Sequence, residues 1–99
     1  MEDELVEDSE KFLEKAEEFV GLAKRDLQTE LFRLKNALST RYDFGVEGFE
    51  DDYEARLSTG EEDDEDRAEF VVDRRAGETE INAFVVVGGE VVVNEVHRY

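Results

Sequence analysis

The sequence has no cysteine, proline or tryptophan, and a single histidine, His97. Without thiols there is neither a disulfide framework nor a thiolate metal site. A lone histidine near a strand end reads as a surface residue rather than a ligand or base. Without proline, no extended run is barred from pairing inside a sheet. Ser9, Ser39 and Ser58 lack a Gly-x-Ser-x-Gly context, so nucleophilic hydrolysis has no support. "VGGEV" has two glycines, but neither the G-x-G-x-x-G spacing nor a Walker lysine, so no phosphate cradle is indicated. No apolar run approaches the roughly 18 residues of a membrane span. The start, "MEDELVEDSE", is acidic and has no apolar stretch of the kind a secretory signal needs. The expectation is a soluble, cytoplasmic protein with no membrane contact.

Acidity is what the chain has in excess. Carboxylates number 29 against 12 basic residues over 99 positions, giving a net charge of −17. Arginine outnumbers lysine among the cations. In dilute buffer such like charge opposes a compact state. At about 1 M salt the screening length falls to about 3 Å and the repulsion is largely removed. Yet 39% of the residues are apolar and sharply periodic, so this is not a disordered acidic polymer. In composition the chain resembles small acidic cytosolic proteins of haloarchaeal type. That resemblance implies a salt-rich cytoplasm and no activity.

The same charge has an alternative reading, an acidic inhibitor that mimics nucleic acid and occupies a basic groove. Direct nucleic-acid binding is not expected, because no basic patch exceeds the pairs Lys24-Arg25 and Arg74-Arg75. The run Glu61 to Asp66 lacks the alternating order of a calcium loop and reads as a solvated, mobile segment. Carboxylates serve as general acid and base only where burial separates their pKa values. Only Glu90 and Glu95 sit inside apolar runs, one at a hairpin tip and one near an edge. No catalytic residue, metal or cofactor is therefore expected.

Periodicity sets the fold class. At 100° per residue, Leu5, Phe12, Leu13, Ala16, Phe19, Val20, Ala23, Leu27, Leu31, Leu34 and Leu38 fall on one arc of roughly 120°. This reads as one continuous amphipathic helix over 1–41, capped by Asp3 or by Asp8-Ser9. A linker follows over 42–52, with a short extended piece possible at Tyr42, Phe44 and Val46. Residues 53–99 then alternate as antiparallel strands around an acidic loop at 59–66. The sequence predicts a single α+β domain over 1–99, with a long helix on a four-stranded antiparallel meander. That element order is similar to cystatin-type inhibitors. The Gln-x-Val-x-Gly loop of those proteins is absent, so nothing is carried over.

Two features point to a partner. About 36 helical residues make a rod of roughly 50 Å, whereas strands of six to nine residues reach only about 20–30 Å. The first third of the helix, with Leu5, Phe12 and Leu13, should overhang the sheet. Second, "FVVVGGEVVV" is apolar on both faces of a predicted Gly88-Gly89 hairpin. With Val85 opposite Val92, the residues Ile81, Ala83, Val85, Val87, Val92, Asn94 and Val96 lie under the helix. Phe84, Val86, Val91 and Val93 lie on the other face, extended by Val71. Exposed, such a patch is an aggregation hazard. The sequence thus predicts a non-catalytic interaction or assembly module. Its partner is another protein or a second copy, a homo-oligomer being favoured.

Overall fold

The computed structural model describes residues 3–39, 41–48, 53–75 and 77–99. Among them, three helices precede five strands: α1 (Glu4–Glu14), α2 (Ala16–Phe19), α3 (Lys24–Lys35), β1 (Gly45–Gly48), β2 (Tyr53–Thr59), β3 (Arg67–Arg75), β4 (Glu78–Val87) and β5 (Glu90–Arg98). The strands form one sheet in the order β1-β2-β3-β4-β5, antiparallel at every step. The α+β class and the meander are as the sequence predicts. The number of strands is five rather than four, because Gly45–Gly48 of the expected linker pairs with β2, Val46 opposite Leu57. The last part of that linker, 49–52, lies outside the described residues.

The single long helix is not formed. The Asp3 carboxylate accepts the Leu5 N–H at 2.8 Å and starts α1. The chain stays helical through Phe19 apart from a hitch at Lys15. Val20 is then extended, Gly21 takes φ +81°, and Ala23 is extended before α3 begins. That positive φ is open to glycine and strained for other residues. The outcome is a helical hairpin. Its arms are tied by Lys11 Nζ donating to Ala37 O at 3.1 Å and the Ser39 N–H donating to Asp8 Oδ1 at 2.9 Å. The Ser39 hydroxyl also donates to Glu4 Oε2 at 2.7 Å.

Folding the helix back removes the overhang. α1 lies across β4 and β3 and reaches only the near side of β5, while α3 covers β1 and β2. The longest dimension of the molecule is 37 Å, less than the roughly 50 Å of an unbroken helix. Leu5 and Phe12 are fully buried, and Leu13 is half-buried against the same core. Phe12 stacks on Phe70 of β3 at a ring separation of 5.0 Å and touches Phe19 at 5.6 Å. Phe44 also stacks with Phe70, its ring 6.0 Å away. Most of the predicted stripe lies in this core. Val20 and Ala23, which form the break, are exposed.

The β4–β5 hairpin turns at Gly88 (φ +58°) and Gly89 (φ +78°), as a two-residue loop requires. Val87 faces Glu90 and Val86 faces Val91. The next pair is Val85 with Val93, not Val92. Val92 is the extra residue of a β-bulge, and one extra residue exchanges the faces of all that follows. Val93, Glu95 and His97 therefore lie on the helix side, and Asn94 and Val96 on the open side. This reverses the predicted assignment of these residues.

Candidate interaction surface

The sheet's open face is built from rows of cross-strand neighbours. One row runs Glu47, Arg56, Val71, Asn82 and Val96 from β1 to β5. Arg56 holds this half together, donating to Glu47 at 3.0 Å and to Glu69 at 3.1 Å. Burial opposes the guanidinium charge, but the hydrogen bonds to Glu69 and Glu47 outweigh it, and the arginine pKa is raised. Beside Arg56 is a concavity of about 330 Å³ lined by Ser58, Arg67, Glu69, Phe84 and the turn at Gly60–Glu62. Its cations are engaged, Arg56 by carboxylates and Arg67 by the Phe84 ring, 5.5 Å from the guanidinium. It is a polar corner whose carboxylates are exposed (Glu61, Glu62) or half-buried (Glu69).

Nearer the hairpin tip the face turns apolar. Phe84, Val86 and Val91 come together there as the sequence predicts. Their exposure differs sharply. Val86 is only 4% exposed, because Arg67 and Val91 stand opposite it on the flanking strands and Phe84 lies two positions away. Phe84 is half-buried under Arg67, and Val71 half-buried between Arg56 and Asn82. The tip itself is anchored, its Gly88 N–H donating to Asp66 Oδ1 at 2.9 Å and its Gly89 N–H to Glu65 O at 3.0 Å. Much of the expected patch is thus covered by its own chain.

Strand β5 is what stays open. Val91 is 56% exposed, Val92 46%, Val96 49% and Tyr99 47%. Among the described residues β5 pairs with β4 alone, and its second edge is free. Val93 has moved to the helix side, where it is half-buried against the core. Val92, Val96 and Tyr99 are the surface residues the sequence reading missed. The run Val91-Val92-Val93 hides a bulge, because valine is equally acceptable on either face. The polar residues below it, Glu95 and His97 flanking Val96, favour the predicted faces and give no hint of the bulge.

The remaining candidate groups are ordinary. His97 is exposed on β5, Glu90 and Glu95 are exposed, and the Ser9 hydroxyl donates to Val6 O at 2.7 Å. In the acidic loop the Glu61 N–H donates to Asp64 Oδ2 at 2.8 Å and the Asp64 N–H to Glu61 O at 3.0 Å, forming a turn. Among the described residues no three His, Asp or Glu side chains gather as a metal site. No helix among them is long and apolar enough to cross a membrane. Compared with protein-family models, with curated proteins and with solved structures, the chain matches none.

Proposed function

We propose that this protein is a non-catalytic interaction or assembly module of a salt-rich cytoplasm, and that it associates through β5 and the adjoining open face of the sheet. The observation that carries this reading is β5 itself: a nine-residue strand with one free edge and three half-exposed valines. Soluble proteins blunt such edges with charged side chains, above all lysine, or with proline, bulges or very short strands. The exposed Glu95 and Arg98 of β5 are of opposite sign, which a second strand can match. At the opposite edge β1 has only four residues and exposes Glu47. β5 carries neither lysine nor proline, and its bulge disturbs only the end near the tip.

The test is crosslinking in the native host at its own ionic strength, comparing wild type with Val91→Thr/Val92→Thr/Val96→Thr. Threonine keeps the β-branched shape and removes apolar surface. Exposed substitutions of this kind cost about 0.5 kcal/mol or less each, so the fold survives. The expected result is a specific crosslinked complex for wild type that the variant loses. A complex that persists in the variant, or none with wild type, defeats the reading.

A further inference from the structure

We infer that the occupant of the free β5 edge is a second copy of the same strand, paired antiparallel about a twofold axis through Val96. This rests on the interaction reading above and names its partner. Tyr99 and Thr79 exchange both backbone hydrogen bonds, at 3.1 and 2.8 Å. In an antiparallel ladder such pairs alternate with pairs whose N–H and C=O point away. The register His97–Ile81, Glu95–Ala83 and Val93–Val85 continues the inward set. The backbone groups of Asn94, Val96 and Arg98 therefore point off the sheet, a row of three unpaired donors and acceptors. Glu95 and His97 stay exposed although they lie on the helix side, so the helices do not overhang this edge.

Charge selects the occupant and the register. Antiparallel self-pairing must place outward residues opposite outward residues, so the axis passes through a residue. An axis at Glu95 sets two glutamates face to face, and like charges directly opposite are unfavourable. An axis at His97 sets Glu95 opposite Tyr99, with no basic side chain to meet it. An axis at Asn94 runs the ladder across the bulge. An axis at Val96 has none of these faults. Val96 then meets the partner's Val96, Asn94 meets the partner's Arg98, and Val93 meets the partner's Tyr99. Glu95 meets the partner's His97, twice by symmetry, in the pairs whose side chains approach most closely. The two five-stranded sheets become one, with both helical hairpins on the same side.

The experiment is sedimentation of the purified full chain in about 1 M KCl, where the screening length is about 3 Å, over a wide dilution series. A concentration-dependent dimer is expected, with the Asn94, Val96 and Arg98 amides gaining exchange protection as it forms. Val96→Pro removes an N–H that β4 does not use, and should weaken the dimer at least about tenfold. His97→Glu, which faces Glu95 across the axis, should weaken it too, and adding Glu95→Lys should restore it. Both are compared with wild type at the lowest salt that still supports the wild-type dimer, where charges in contact are least screened. If Val96→Pro fails to fold, the charge exchange alone decides. A monomer at every concentration, a dimer unmoved by Val96→Pro, or a double variant no better than His97→Glu overturns the inference. If the purified chain is monomeric while host crosslinks persist and still require β5, self-pairing fails and the interaction reading stands. If neither complex forms, both fall.

Discussion

Asp8 is the side chain whose environment fits its charge least well. It is 1% exposed on α1; one carboxylate oxygen takes the Ser39 N–H, while the other, Oδ2, has no hydrogen-bond partner. Burial raises its pKa above 3.8, the Ser39 N–H and Lys11 pull it back, and Glu4 and Glu7 push it up. With the folded value above the unfolded one, the native state holds this proton more tightly. Stability from this group is present at low pH and falls as pH rises from about 3.8 through the folded value, beyond which the cost is complete. Asp8→Asn keeps an oxygen for the Ser39 N–H and removes the charge. Its melting temperature should exceed that of wild type at neutral pH, and the difference should close as pH falls toward 3.8. Parallel melting curves across that range would show that the buried charge has no such cost.

Among the elements, the bulge in β5 makes a sharp prediction. Val92 is the unpaired extra residue, so deleting it leaves Val86 opposite Val91 and Val85 opposite the residue that is now Val93. The faces beyond stay as they are. The deletion should fold, with a melting temperature within a few degrees of wild type, since 1 kcal/mol corresponds to about 4–8 °C in a domain of this size. Nuclear Overhauser contacts between Val85 and the present Val93 should persist. Their loss would mean that the bulge sets the register instead of accommodating it.

The same elements show what was legible in the sequence. The Gly88-Gly89 turn was, because both positions take positive φ and few other residues accept it. The helical stripe was legible in membership and misleading in shape. Phe12 and Phe19 in one arm and Leu27, Leu31 and Leu34 in the other face the same sheet, so their wheel phases agree whether or not the chain turns between them. The break at Val20–Ala23 carries one glycine and no proline, asparagine or serine. The strand at Gly45–Gly48 is four residues long and half glycine, so the alternation of Tyr42, Phe44 and Val46 marks an extended piece there without establishing a fifth strand. The candidate surface was half legible: Phe84, Val86 and Val91 cluster as read, while Val93 and Val96 exchanged faces through a bulge that no polar residue marks.

For the molecule as a whole, charge and compactness are in tension. The chain carries a net charge of −17, and its described residues form a body of 37 × 24 × 23 Å. The ion pairs Lys15–Glu18, Arg33–Glu30 and Arg98–Glu80 lie at the surface, where a pair contributes about 0–1 kcal/mol. Carboxylates outnumber cations however the pairs are drawn, so the balance of self-repulsion has to be met by screening. Raising KCl from about 0.01 M to about 1 M shortens the screening length from about 30 Å to about 3 Å, and the melting temperature should climb steeply over that range. Each kcal/mol of repulsion relieved appears as about 4–8 °C. Near pH 4, where ordinary carboxylates take up protons, the climb should flatten, because the charge being screened is disappearing. That contrast separates screening from a general salting-out effect, which would persist at low pH. The melts belong at high dilution, because two chains of equal charge repel as well, and the same salt that firms the subunit favours its pairing. A melting temperature indifferent to salt at neutral pH would mean that the core alone outweighs the repulsion, and the acidity would then need another explanation than adaptation to salt.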